Sequence, residues 1–141
     1  MTELFLLAQI AGRAVAIEAA QVVSVVDLGE IVAVPRTDPA VRGLAALRSR
    51  VVTVIDTGVA LGVGRSACDA RRAVITQVDG HHYAILVDAL EDVAPFVRRP
   101  ISSGLALDGG WGAIGTGLIE RDDEPVLAID IAALVPQPLA A

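Results

Sequence analysis

The sequence predicts an all-β fold made of two small barrels side by side, with short helical turns. Three observations predict it: the apolar runs are short and rich in Val and Ile, they end at Gly, Asp or Pro, and the order of these landmarks repeats along the chain. Runs of this length and composition are typical of strands, and turns at this spacing are typical of barrels and sandwiches.

The apolar runs define the predicted elements in chain order. Polar turns at 11–13, 48–50 and 79–82 predict three hairpins. Two short helical turns, Thr57–Leu61 and Ile131–Val135, each follow an Asp that can cap them. The predicted strands are Leu4–Ile10, Ala14–Ile17, Val22–Val26, Ile31–Val34, Leu44–Leu47, Val51–Ile55, Ala73–Val78, Tyr83–Val87, Val93–Val97, Ala113–Ile119 and Val126–Ile129.

The landmarks of the first part of the chain recur in the second part. The segment 11–17 resembles 79–85 at an offset of 68, and 43–56 resembles 117–130 at an offset of 74. The extra residues fit in the Gly-rich stretch Gly104–Gly117. The order of Gly, strand and Asp predicts an internal duplication rather than chance similarity.

The duplication sets the expected domain organisation. We expect a single domain over residues 1–141, with approximate barrel halves 5–71 and 72–135 between which strands can be exchanged. A half of this size alone would be marginally stable, so the halves should share strands or an apolar seam. We expect that seam to form a groove.

Composition excludes several classes of protein. The chain is 54% hydrophobic and 20% charged, which excludes intrinsic disorder. All eleven basic residues are Arg, so chemistry that needs Lys is absent. A net charge of −6 and 3% aromatic residues make nucleic acid an improbable partner.

Cys68 is the only cysteine, which excludes an internal disulfide and a cysteine metal cluster. We interpret it as a residue without a functional role.

The start of the chain carries Glu3 where a signal peptide needs basic residues, and no apolar run approaches the roughly 20 residues of a membrane span. We therefore expect a soluble, cytoplasmic protein that does not insert into a membrane.

Several side chains are candidates for a metal site, a phosphate-binding loop or a partner-binding anchor. His81 and His82 are adjacent and point to opposite faces of a strand, which favours exposed turn residues over a metal site. The segment Gly58–Gly64 lacks the lysine of a phosphate-binding loop. Trp111, in the loop Gly109–Gly112, is either a partner-binding anchor or a lid over the second barrel.

The carboxylates are explained by turns and caps. Asp56 and Asp130 end strands in both repeats and are interpreted as caps, and Asp88 is similar. Turn chemistry accounts for the others, namely Asp27, Asp69, Asp79, Asp108, Asp122 and Asp123. Because no catalytic constellation is present, we predict no enzyme activity, no catalytic residue, no cofactor and no metal.

Arg48 is the candidate interaction residue, since a guanidinium at a hairpin turn offers five donors. The alternative is an exposed turn residue without a role.

The segment Val41–Asp56 resembles the central motif of the CheW family of chemotaxis adaptors. The matching positions are Gly43, Leu47, Arg48 and Asp56. The departures are Ala46, Ser49 and Thr53, where the family has Asn, Gly and Pro. Further similar segments are Phe5–Val26, Val34–Pro35, Tyr83–Leu90 and Gly117–Leu134, so the resemblance covers almost the whole chain.

The resemblance implies two intertwined five-stranded SH3-like barrels and no catalysis. It implies an adaptor that couples the cytoplasmic tip of chemoreceptors (methyl-accepting chemotaxis proteins) to the regulatory domain of a CheA-type histidine kinase, in arrays at the membrane. The groove between the barrels would take the receptor's helical hairpin. The implied partner-binding positions are Val22, Val25, Gly43, Leu44 and Arg48, while Ser24 stands where the family usually has Glu.

Two other functions stay open at this point. The first is a divergent CheW-like scaffold for another receptor or polar complex, which the departures Ser24, Ala46 and Thr53 favour. The second is a small β-barrel ligand binder or enzyme, which would need a pocket that collects Asp56, Asp88 or the histidines.

Overall fold

The described residues, 2–67, 69–101 and 110–136 of the computed structural model, confirm the predicted all-β fold. They form ten strands in two five-stranded sheets. The strands are β1 (Glu3–Ile10), β2 (Arg13–Glu18), β3 (Ser24–Asp27), β4 (Val41–Leu47), β5 (Arg50–Ile55), β6 (Arg72–Val78), β7 (His81–Leu86), β8 (Ala89–Phe96), β9 (Gly115–Arg121) and β10 (Glu124–Ile129). The short helices are α1 (Thr57–Leu61), α2 (Trp111–Ile114) and the 3₁₀ turns Ala19–Gln21 and Ile131–Leu134. The interpretations of Cys68, Asp108 and most of the Gly-rich stretch lie outside the described residues.

The two sheets have equivalent strand orders. The terminal sheet is ordered β8-β1-β2-β10-β9, and the middle sheet is ordered β3-β6-β7-β5-β4. In each, a hairpin (β1–β2 or β6–β7) packs beside three strands that come from the other repeat. The sheets therefore do not coincide with the sequence halves 5–71 and 72–135, because each repeat gives its first hairpin to the other sheet.

The pairing register follows the sequence repeat. The pair Phe5 and Glu18 in the terminal sheet corresponds, at the offset of 68, to Ala73 and Leu86 in the middle sheet. At the offset of 74, Leu44 opposite Thr53 corresponds to Leu118 opposite Leu127. The parallel contact of β5 with β7 likewise corresponds to that of β10 with β2. The duplication inferred from short motifs thus describes the backbone of both sheets.

The apolar interior has three parts. Each sheet encloses a small cluster of its own: Val52, Ile75 and Leu86 belong to the middle cluster, and Phe5 and Ile119 to the terminal one. The third and largest cluster lies between the sheets and is called here the seam core. Its members include Leu6, Val15, Ile55, Val74, Ile85, Trp111, Leu127 and Ile131.

The seam between the barrels is filled by one buried apolar cluster, and a partner-binding groove beside it stays a prediction. Leu6 and Leu127 from the terminal sheet meet Val74 and Ile85 from the middle sheet in one buried cluster. Burial of aliphatic side chains is worth about 1.5–3 kcal/mol for each large residue, so the seam contributes strongly to holding the two sheets together.

The predicted strand Ile31–Val34 was wrong. In this segment only Val32 forms a β-bridge, and its partner is Leu44. The two residues exchange backbone hydrogen bonds of 2.8 and 2.9 Å, after which Pro35 and the left-handed Arg36 (φ 62°) turn the chain away. Residue Arg99 makes the equivalent single bridge to Leu118 in the terminal sheet.

Several element boundaries also differ from the predictions. The third strand begins at Ser24 instead of Val22, because the 3₁₀ turn Ala19–Gln21 precedes it. The predicted strand Ala113–Ile119 begins at Gly115, because residues Trp111–Ile114 form α2. Both helical turns that were predicted after an Asp are confirmed.

Position 43 requires glycine for a steric reason that the sequence alone does not reveal. A Cβ atom on this residue would lie 2.3 Å from the backbone oxygen of Val32, and its φ is +153°. The equivalent Gly117 would place a Cβ atom 2.8 Å from the backbone oxygen of Arg99. The close approach that Gly43 permits is therefore made within the chain, by the segment that bridges to β4.

Replacement Gly43→Ala should lower the free energy of unfolding by about 2–4 kcal/mol, because the methyl group displaces Val32 and disrupts its two hydrogen bonds with Leu44. Urea denaturation measures this change. Gly29→Ala is the matched control, since nothing lies within 4 Å of a Cβ atom there. Equal stability of the two variants would contradict the steric role of Gly43.

Candidate interaction surface

An apolar groove lies along β3 at the edge of the middle sheet. It has a volume of about 450 Å³. Its wall is β3 with the residue before it, and the β4–β5 turn faces that wall. Val23 and Val25 are 55% and 44% exposed, so they present aliphatic surface to solvent. The lining residues are Val23, Ser24, Val25, Val26, Leu47, Arg48, Ser49, Arg50, Ile75 and His82. This surface is called the β3 groove below.

Cationic side chains line one side of the β3 groove. Arg48 lies in the β4–β5 turn and Arg50 is the first residue of β5. The backbone of Arg48 is left-handed, with φ 52°. Arg50 Nη1 lies in hydrogen-bond contact with His82 Nε2. Because a guanidinium has donors only, this imidazole nitrogen is the acceptor. Among the described residues, neither Arg48 nor Arg50 forms an ion pair with a carboxylate.

The structure brings two of the five predicted partner-binding residues together. Val25 and Arg48 both line the β3 groove. Leu44 is 37% exposed on strand β4, outside the groove lining. Val22 is partly buried against the seam core, and Gly43 is buried under the Val32 backbone. A partner-binding role of these five positions stays a prediction.

Of the ten residues that line the β3 groove, only Val25 and Arg48 were predicted as partner-binding from the sequence. Val23, Leu47, Arg50, Ile75 and His82 come from separated parts of the chain and meet only through the pairing of β3 with β6 and of β7 with β5. The one local signal was the close spacing of Arg48 and Arg50 around a predicted turn. Ser24 also lines the groove, so the position where the family usually has Glu carries a hydroxyl here.

Asp56 is a buried structural carboxylate. It is 2% exposed and begins α1, where it accepts a hydrogen bond of 3.2 Å from the Val59 N–H. The hydroxyl and N–H of Ser66 donate at 2.7 and 3.0 Å, and Arg42 Nη1 lies 3.1 Å away. This network joins the end of β5 to the loop after α1, which confirms Asp56 as a cap.

The charge of Asp56 is stabilised by these donors. Burial alone would raise the pKa of this carboxyl group. The hydrogen bonds from Ser66 and Val59 and the positive charge of Arg42 outweigh burial, so the pKa lies below its ordinary value of 3.8. Both oxygens of the Asp56 carboxylate accept hydrogen bonds from these groups.

Asp130 is the equivalent cap in the terminal sheet. Its carboxylate accepts from the Ala132 N–H at 3.0 Å and from Gln21 Nε2 at 2.5 Å. Gln21 in turn accepts from the Ile131 N–H at 3.1 Å. Both duplicated Asp residues therefore perform the capping role predicted for them.

The groups that a catalytic or ligand pocket would need are dispersed. His82 lines the β3 groove, while His81 and Asp79 line a separate hollow of about 270 Å³. Asp88 lines a third hollow and accepts a 2.9 Å hydrogen bond from the Gly12 N–H. Within the described ranges, no group of three or more His, Cys, Asp or Glu side chains could hold a metal ion. These hollows do not collect Asp56, Asp88 and the histidines in one place.

Trp111 belongs to the interior. It is 4% exposed, lies in the seam core, and is covered by Arg13, whose guanidinium carbon is 4.9 Å from the ring centroid. The alternative of an exposed binding anchor was therefore wrong.

Comparison with known proteins identifies the family. The CheW-like domain family matches residues 4–138, which is nearly the entire chain. This chain belongs to the CheW-like domain family. Among solved structures, the CheW-like chain is similar to the scaffolding protein TtCheW from Thermoanaerobacter tengcongensis, with a TM-score of 0.78 and 24% sequence identity. That similarity covers 95% of this chain and 88% of the other, and it shows a shared fold. No curated protein sequence shows a significant match.

The CheW-like domain has no membrane-spanning helix in the part of the chain that the structure describes, where every helix is too short to cross a bilayer.

The Asp56 network predicts acid sensitivity of this CheW-like domain. Because the folded-state pKa is lowered, the carboxylate contributes stability above about pH 4, near its ordinary pKa of 3.8, and that contribution is lost as the pH falls further. Asp56→Asn should reduce the free energy of unfolding at pH 7 by about 2–4 kcal/mol, since it weakens charge-assisted hydrogen bonds to a buried group. Denaturant titrations between pH 3 and pH 7 measure both effects.

Asp130→Asn is the matched control, because Asn also caps helices and Asp130 has fewer donors. Its cost should stay below about 1 kcal/mol. An Asp56→Asn variant as stable as wild type, with an unchanged pH dependence, would refute the network as a source of stability.

Proposed function

We propose that this CheW-like domain is a non-catalytic cytoplasmic adaptor that couples chemoreceptors to a CheA-type histidine kinase in signalling arrays. Membership of the family over residues 4–138 supports a scaffolding role. The single structural observation that carries the proposal is the β3 groove, in which aliphatic Val25 and cationic Arg48 line one open surface.

The groove suits protein recognition. Aliphatic floors bind amphipathic segments through spaced apolar side chains. Arg48 at the rim would set register and partner choice more than raw affinity, because exposed charges mainly steer association and discriminate between partners. Each contact of this kind is small, on the order of 1,000 Å² or less, and gains strength through the many copies in an array.

The receptor tip and the regulatory domain of the kinase are the proposed partners. The receptor-facing positions proposed from the family motif are Val22, Val25, Gly43, Leu44 and Arg48. Of these, Val25, Leu44 and Arg48 have side chains exposed at the middle sheet. Gly43 and Val22 would act mainly by holding β4 and β3 in place, since Val32 covers Gly43 and the seam core covers Val22.

A second candidate function is a scaffold for another receptor or polar complex outside the chemotaxis array. Ser24 favours it, because this hydroxyl lies in the β3 groove where the family usually carries a carboxylate. Co-sedimentation with receptor–kinase assemblies separates the two functions. An adaptor of the array enters the pellet with them, whereas a scaffold of another complex stays in the supernatant.

Arg48→Glu should weaken binding to the receptor fragment or the kinase regulatory domain by about 1–3 kcal/mol, a hot-spot-sized loss, and leave the fold intact because the side chain is exposed. Titration calorimetry with each purified partner measures the loss.

Arg36→Glu is the matched control for this charge reversal. Arg36 is also exposed and left-handed, with φ 62°, but it does not line the groove. Unchanged binding of both partners by Arg48→Glu would remove the β3 groove from the proposed interface.

A further inference from the structure

The chain crosses from the terminal sheet to the middle sheet through residues 19–23, which lie between β2 and β3. Gln21 is half-buried in this crossover and bonds to both sheets. Its side-chain amide donates to Asp130 Oδ1 at 2.5 Å, and its Oε1 accepts from the Ile131 N–H at 3.1 Å. Its backbone oxygen accepts from the Thr76 hydroxyl on β6 at 2.8 Å. Gln21 therefore joins the cap of the terminal sheet to a strand of the middle sheet.

The strand that follows this crossover is short. β3 has 4 residues, whereas its equivalent β8 has 8. At the repeat offset of 68, Gln21 corresponds to Ala89, which already belongs to β8 and pairs with Gln9 of β1. The second crossover is thus anchored by strand pairing at the position where the first crossover uses the Gln21 side chain.

The link from a cap to the opposite sheet also differs between the repeats. In the middle sheet, Asp56 takes its donors from Ser66 and Arg42, which lie in the loop after α1 and on β4. In the terminal sheet, Asp130 takes a donor from Gln21, 109 positions earlier in the chain. This link is therefore a property of one crossover and not a necessity of the duplicated fold.

Gln21 lies just before the wall of the β3 groove. Val23 is the first residue of that wall, and its N–H donates to the Ile75 oxygen at 2.8 Å. Between them, Val22 packs against the seam core. Because β3 itself is short, its position at the edge of the sheet depends on how firmly the crossover is held.

We infer that Gln21 is a positioning residue of the β3 groove, which fixes the β3 wall through the cap of the terminal sheet. The inference rests on the proposed adaptor function and adds that the binding surface takes its geometry from a sheet that does not line it. A partner binds the arrangement in which the wall is in place. Release of Gln21 lowers the population of that arrangement, and the apparent affinity falls in proportion.

The decisive variants act on the hydrogen bond between Gln21 and Asp130. Gln21→Glu removes the donor and sets a second carboxylate against the first. Adding Asp130→Asn to it removes one of the two charges and supplies an amide that can donate to the new carboxylate. Asp130→Asn alone keeps the link, because its oxygen can still accept from Gln21 and from the Ala132 N–H, as Oδ1 does now. Ala20→Glu is the matched control, since it adds the same charge at an exposed residue of the same turn.

Two measurements are made at pH 7. Amide hydrogen exchange compares β3 with β4, the strand at the opposite edge of the same sheet. Titration calorimetry measures binding of the receptor fragment and of the kinase regulatory domain. Gln21→Glu should speed exchange of the β3 amides by about tenfold and leave the β4 amides unchanged, because the opening is local. It should weaken binding by about tenfold as well.

Recovery separates positioning from a general effect on stability. The double variant should regain most of the wild-type β3 exchange rates and affinity, and Ala20→Glu should behave as wild type. A purely stabilising role of Gln21 would instead speed exchange at both edges of the middle sheet. Gln21→Asn keeps the test valid if Gln21→Glu does not fold: it adds no charge, but it is one methylene too short to hold Asp130 and Ile131 together, so it should give the same pattern.

The inference is overturned if the Gln21 variants keep wild-type exchange at β3, if β3 and β4 exchange faster to the same extent, or if the double variant recovers nothing. It is also overturned if exchange at β3 rises while both partners bind as tightly as before. Failure of wild type to bind either partner, together with the expected exchange pattern, would instead overturn the proposed adaptor function alone.

Discussion

The whole structure depends on the apolar seam shared by the two sheets. A sheet of five short strands buries too little surface to be stable alone, and the small clusters around Ile75 and Ile119 illustrate how little each sheet encloses. The seam core adds side chains from both sheets, including Leu6, Ile85 and Leu127. Because the chain contains few aromatic residues, this burial is made from many aliphatic contacts. The aliphatic side chains of the seam core are buried, whereas Val25 on the edge strand β3 is 44% exposed.

Local features were predictable from the sequence, and long-range ones were not. The hairpins, the caps at Asp56 and Asp130 and the offset of the repeat all follow from turn residues and apolar spacing within a few positions. Exchange of strands between the halves was expected, but which strands cross was not predictable, because Val-rich strands of equal length give no local sign of which partner they take. The strand expected at Ile31–Val34 failed for the opposite reason: its composition suits a strand, but only Val32 finds a backbone partner. The β3 groove depends on the same long-range pairings, which is why only Val25 and Arg48 of its lining were singled out.

The duplication preserves the backbone while the side chains diverge. Gly43 and Gly117 keep the same close approach of a connecting segment, and Ala11 and Asp79 share a left-handed turn with φ 51°. Packing volume varies more freely. Phe5 and Phe96 fill the terminal cluster, whereas the equivalent residues of the middle cluster are Ala73 and Leu28. Surface charge varies most. Arg48 and Arg50 at the β4–β5 turn correspond to Asp122 and Glu124 at the β9–β10 turn.

The exchange of hairpins sets the order in which the chain can fold during synthesis. All strands of the middle sheet lie between residues 24 and 86, so this sheet can assemble before β8, β9 and β10 have left the ribosome. The hairpin β1–β2 precedes its partners β8, β9 and β10, which begin only at residue 89. Its apolar face, with Phe5 and Leu7, therefore lacks these partner strands until the residues from 89 onward have been synthesised. Such long-range pairing is slow, and it leaves the apolar face of this hairpin exposed to aggregation until its partners arrive.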